Sequence, residues 1–213
     1  MSRPVKESMQ PLNFSTPDDR EELARAEVYG LLAQLFYAPP SDELYAQLQV
    51  AATEAPAPGA FLETAWGELV AVSRRVTLAA ARSEHEALFM GVGKPEVFLY
   101  GSYFIAGTLN EKPLVALRQN LRALGLERPE NVVETEDHIA SLCEVMRYLI
   151  AGDDLAICNL AKQQAFFDAH LRGWSDRLWD TLAAHPQADF YRAVSAFARD
   201  FFAVEAQGFD MLV

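Results

Sequence analysis

The residues best equipped for chemistry are an adjacent carboxylate and imidazole, Asp137-His138. Metal phosphohydrolases of all-helical fold use an adjacent His-Asp pair. Here the order is reversed, and His85, His170 and His185 sit in no supporting motif. A di-iron site in a helical bundle needs Glu-x-x-His on two helices, so that carboxylate and imidazole share a face. None of the four histidines has a glutamate three residues before it. The cysteines and histidines show no zinc-ligand spacing either. Gly91-Val92-Gly93-Lys94 resembles the end of a phosphate-binding loop, but Leu88 stands where its first glycine belongs and Pro95 replaces the magnesium-binding hydroxyl. Tyr100-Gly101-Ser102-Tyr103 is not a nucleophile elbow, and no strand precedes it. Cys143 and Cys158 form no C-x-x-C and read as reduced, small hydrophobes. Arg74-Arg75 lies mid-chain with no long apolar run after it and reads as a solvated helix end. Two uses of Asp137 and His138 remain: a hydrolytic pair acting on a phosphorylated or nucleotide ligand, or a helix start that holds a non-catalytic site.

The elements that must position these residues read as helices nearly throughout. Thr16-Pro17-Asp18-Asp19 is a start signal of hydroxyl, proline and acids. The apolar face Leu23, Val28, Leu31, Leu32, Leu35 and Phe36 follows, and Pro39-Pro40 stops it. Ser41 caps a second helix. Glu54–Gly59 reads as a linker, with helices resuming over about 60–72 and 77–90. An apolar, aromatic stretch spans 97–109, and a helix over 113–124 ends at Gly125. Thr135 is expected to cap the next helix, with a buried stripe of Ile139, Leu142, Met146 and Leu149. Asp137 and His138 then become its second and third residues. There the positive helix end favours the ionised carboxylate and disfavours the protonated imidazole. Further helices run to about Arg172, over 174–185, and onward from Pro186. No segment alternates with a period of two. The fold expected is all-α, with about nine helices over 16–213 after a disordered tail at 1–15. It forms one bundle or two lobes joined by a hinge loop at 126–134.

Totals narrow the function. Thirty acids against 18 bases give a net charge of −12. Such a field repels phosphate and anionic membrane surfaces and attracts basic peptides. The N-terminus has no apolar core of a signal peptide, and no uncharged run reaches the roughly 20 residues needed to span a bilayer. A cytoplasmic location is the expectation.

The combined pattern resembles the TorD/DmsD family of cytoplasmic chaperones, whose broader superfamily includes NarJ. The resemblance covers about residues 20 to 205. It rests on Tyr29-Gly30-Leu31-Leu32-Ala33-Gln34-Leu35-Phe36 before Pro39-Pro40, on Leu88-Phe89 with Gly91, Gly93 and Pro95, and on Ser102-Tyr103 opening a helix that ends at Gly125-Leu126. Glu134-Thr135-Glu136-Asp137-His138 matches the family's Glu-Pro-x-Asp-His, and His170-Leu171 with Trp174 follows. Thr135 replaces a proline, Gly101 an acid, and Gly173 a proline. The resemblance implies no enzyme activity and no cofactor. It implies binding of the twin-arginine signal peptide of a molybdenum-cofactor reductase or dehydrogenase precursor, held in the cytoplasm until its cofactor is loaded. Such a peptide has a basic head and an apolar body. The acids expected to meet it are Glu134, Glu136 and Asp137, with His138 and Ser102 beside them. The apolar wall expected is Phe89, Phe98, Leu99, Tyr100, Tyr103 and Phe104. No nucleic acid is expected as a partner, and both a monomer and a domain-swapped homodimer are compatible with the chain.

Overall fold

The computed structural model describes residues 17–53, 62–91, 93–109, 111–130 and 132–212. Thr16, the tail at 1–15 and the linker at 54–59 lie outside these residues. Among the described residues there are ten helices and no strands. The first, α1 (Pro17–Tyr37), is the central element: Ala26, Tyr29, Leu32, Ala33, Leu35 and Phe36 are buried along it. It lies against α7 (Ile139–Ala151), whose buried stripe is Ile139, Leu142, Cys143, Met146 and Leu149. On another side α1 meets α10 (Phe190–Asp210), where Tyr29 packs edge-on against Phe201 with ring centres 4.8 Å apart. A polar clasp crosses the same seam. Arg25 donates to Glu205 through both Nε (2.6 Å) and Nη2 (2.8 Å), and the Tyr29 hydroxyl donates to Glu205 at 3.0 Å. Burial and the neighbouring Glu205 charge hold that phenol far above its ordinary pKa.

Five shorter helices complete the side nearest α10. Ser41 caps α2 (Asp42–Val50) by accepting from the Leu44 N–H. Thr77 does the same for α4 (Leu78–Phe89), the helix that follows α3 (Glu63–Arg75). Arg74 and Arg75 form the exposed last turn of α3, as expected, and both also reach other elements. Arg74 donates to the carbonyls of Gln49 and Ala51, and Arg75 grips Asp189 with two bonds of 2.7 and 2.8 Å. Glu84 accepts the N–H groups of Asp189, Phe190 and Tyr191, so a carboxylate from α4 caps the start of α10. α10 therefore begins at Phe190 rather than Pro186. Behind it, α9 (Ser175–Ala184) places Leu178, Trp179 and Leu182 in the core, and α8 (Leu160–His170) packs on α7.

The remaining segment carries the tenth helix, which the sequence pattern merges with its neighbour. α5 (Gly101–Ala106) ends at Gly107, whose φ of +80° lets the chain turn before α6 (Lys112–Ala123). Gly125, at φ +70°, closes α6, as its sequence position predicts. Residues 126–130 and 132–134 are irregular chain, and Leu126 and Val132 are only half-exposed. Buried apolar side chains from both sides of this segment belong to one cluster.

Candidate functional site

The turn that precedes α7 is built on Asp137. Its Oδ2 accepts the Ser102 N–H at 2.8 Å, and its Oδ1 accepts the Thr135 hydroxyl at 2.6 Å. Its backbone carbonyl accepts the Gly101 N–H, and the Ile139 N–H donates to Leu99. Tyr100 and His138 thus form an isolated antiparallel bridge that pins the segment at 97–102 to the start of α7. Both Asp137 and His138 are 4% exposed.

Thr135 is not the helix cap. His138 is, with Nδ1 accepting the Ala140 N–H at 3.2 Å. The helix starts at Ile139, so Asp137 and His138 precede it instead of occupying its first turn. An accepting Nδ1 requires a neutral ring. Burial supplies the same result, lowering the His138 pKa to about 4 against an opposing pull from Glu134 and Asp137.

The other expected acids face different ways. Glu134 takes a hydrogen bond from the Tyr100 hydroxyl, and burial together with Glu134 raises that phenol's pKa. Glu136 turns toward α6. Arg118 donates to it at 3.0 Å through Nε, and Arg128 stands 3.6 Å away. Burial opposes its ionisation, but the Arg118 bond, a backbone N–H and the two arginine charges outweigh burial and lower its pKa.

The expected apolar wall divides. Phe89 lies elsewhere, among Phe36, His85 and Tyr191 with ring centres 5.0–6.1 Å away. Leu99 is buried in the core. Phe98, Tyr103, Phe104 and Trp174 form a chain of ring contacts along α5, and Tyr100 meets His138 edge-on at 5.1 Å.

Two hollows flank the Asp137 turn. The larger, about 570 Å³, is an open groove between α1, α7 and the segment after α6. Ala33, Tyr37, Leu121, Leu126, Val132 and Val145 supply its apolar surface. Glu127, Glu136, Glu144 and Arg128 supply its charges, and Ser141 lies on its α7 side. The smaller, about 170 Å³, lies between α5, α6 and α8, and Ser102, Asp137, His170 and Trp174 line it. Consecutive residues therefore serve opposite hollows, Glu136 the groove and Asp137 the small cavity. Sequence reasoning missed the groove's apolar residues. The only signals were Tyr37 at the end of the α1 face and the apolar Leu126 and Val132 within a polar loop. A third hollow, of about 650 Å³, lies between α1, α2 and α3.

Among the described residues, no three His, Cys, Asp or Glu side chains are placed to hold a metal ion, and no helix is long and apolar enough to cross a membrane. The two Asp137 oxygens and His138 Nδ1 serve local structure. No geometry here favours a hydrolytic pair.

Residues 56–180, more than half of the chain, match the nitrate reductase delta subunit family. The chain belongs to this family, a group of NarJ/TorD-type chaperones that act in molybdoenzyme maturation. A search of curated proteins finds no match.

Proposed function

We propose that this chaperone acts in the cytoplasm and holds a molybdenum-cofactor oxidoreductase precursor by its twin-arginine signal peptide until the cofactor is inserted. The observation that carries the reading is the groove of α1, α7 and the segment after α6. It is open and mostly apolar, and its charges are three glutamates against one arginine. An apolar peptide body gains by leaving water there, at about 25 cal/mol per Å² buried. The carboxylates favour a basic flank, as does the net charge of −12. Asp137 and His138 support this groove from behind by fixing where α7 begins. The segment at 126–134 joins α6 to α7 and forms one groove wall. It is also the place where a domain-swapped dimer would exchange helices.

Calorimetry with synthetic signal peptides of molybdoenzymes tests the reading. A client peptide should bind, and binding should weaken as salt rises, because exposed charges are screened over about 8 Å at physiological ionic strength. Absence of binding by any such peptide would overturn it.

A further inference from the structure

The charges of the groove are less free than their number suggests. The Glu136 side chain is 14% exposed, and Arg118 holds it from outside the groove, with Nε and Nη2 at 3.0 and 2.9 Å from its Oε2. Arg147 holds Glu144 from the next turn of α7, at 2.8–2.9 Å. Glu127 has no hydrogen-bond or ion-pair partner among the described residues. Among the described residues that line the groove, Arg128 is the one cation. Its Nε faces Glu136 Oε1 at 3.6 Å, beyond hydrogen-bond length but within ion-pair range. Its Nη1 donates to the Val132 carbonyl. Arg118 therefore fixes Glu136 in place, whereas Arg128 touches it only loosely. With Arg118 and Arg147 counted beside Arg128, the three groove carboxylates meet three guanidinium groups, and the local charge is balanced.

We infer that Arg128 is an internal competitor: it neutralises the groove while the groove is empty, and a basic peptide must displace it to bind. The inference rests on the groove being the peptide site. A second cation entering beside Glu136 stands close to Arg128, well inside the roughly 8 Å over which salt screens such charges, so the two repel. Arg128 can yield. An exposed ion pair without a hydrogen bond is weak. The Arg128 side chain is 35% exposed, so its guanidinium swings into water without burying its charge. The bond to Val132 keeps it within reach of Glu136, and it returns when the peptide leaves. Glu127, its neighbour in the chain, offers an arriving cation a carboxylate with no resident arginine. The outcome is a threshold for charge. A peptide with an apolar body and no basic flank leaves Arg128 where it is, and a basic one exchanges with it. Nothing in this contact requires the planar fork of a guanidinium, so a lysine at the same place would compete as well.

Calorimetry on the full chain tests this with two probes: a molybdoenzyme signal peptide, and the same peptide with its basic flank residues changed to glutamine. The readout is the ratio of their affinities. Arg128→Gln should raise that ratio at least about threefold over the parent protein, a shift of about 0.65 kcal/mol. It should also steepen the salt dependence of the basic peptide, because the incoming cation no longer exchanges with a resident one. Arg128→Lys keeps the charge and should restore the parent ratio. Adding Glu136→Gln to Arg128→Gln should remove the gain, since the two side chains act as a pair. Arg128 lies in irregular chain at the surface, and melting curves check that each variant folds. Should Arg128→Gln leave the ratio unchanged or lower it while the peptides still bind, the competitor role is wrong and the groove reading stands. Should it tighten both peptides equally, Arg128 acts by narrowing the groove, and the inference is again overturned. Should neither peptide bind the parent or any variant, the groove reading fails and the inference falls with it.

Discussion

The two ends of the α1 helix meet very different surroundings. Near its N-terminal half, the seam with α10 is polar and closed. Arg25, Tyr29 and Glu205 satisfy one another, and Glu84 takes three N–H groups at the head of α10. Near its C-terminal end, α1 borders an open groove, and the turn beyond it encloses a cavity with an orphaned hydroxyl. Complete polar pairing fixes one geometry and stabilises it. Unfilled apolar surface and unpaired groups leave free energy available to a ligand. The first region is therefore the frame, and the second is the proposed site.

The contrast can be broken most forcefully at Glu205. Replacing it with glutamine leaves Arg25, 18% exposed, without its carboxylate. Removing one partner of a buried pair costs about 3 kcal/mol or more. Thermal or denaturant unfolding should show that loss, while affinity for a client peptide should stay unchanged in the folded fraction. A variant that unfolds normally but fails to bind would reverse the roles of the two regions.

Glu84→Ala tests the same frame more gently. It frees three N–H groups at the start of α10 and should cost about 1–2 kcal/mol, the range of a lost helix cap. Chemical denaturation would measure it, and an unchanged midpoint would contradict the capping role.

Acid distinguishes the regions less sharply, because buried histidines occur in both. His85 stands beside α10, and His138 and His170 border the site. Burial lowers each to about 4. In the unfolded chain each returns to about 6.5, so between these values the unfolded state binds more protons. Their contribution to stability is full above pH 6.5 and is lost as pH falls toward 4. Melting temperatures should drop progressively through that window. A flat profile from pH 7 to 4.5 would mean that these rings are not held neutral.

How much of this was legible in the chain depends on the range of the interaction. Local signals read correctly: Ser41 caps α2, Pro39-Pro40 ends α1, and Gly125 closes α6. The family pattern of Asp137-His138 and Trp174 also pointed to the right class. Thr135 misled because its hydroxyl goes to the Asp137 carboxylate, which leaves His138 to cap α7. That choice depends on Ser102, 35 residues away, which anchors the carboxylate. Phe89 was assigned to the site from its sequence neighbours, whereas its ring packs with Tyr191, 102 positions along the chain. Arg74-Arg75 read correctly as an exposed helix end, but their acceptors, Gln49, Ala51 and Asp189, are remote in sequence and could not be read. Of the groove, only Glu136 was named from the sequence, since three separate segments make its walls.

The central claim, that the groove holds the client's apolar peptide body, is tested most directly at Ser141. This residue faces the groove from α7 and is only partly buried, so Ser141→Trp fills the space without entering the core. Calorimetry should then show at least a tenfold loss of affinity for the client signal peptide, with the melting temperature of the parent protein retained. Unchanged affinity in the folded variant would contradict the account and move the peptide to another face.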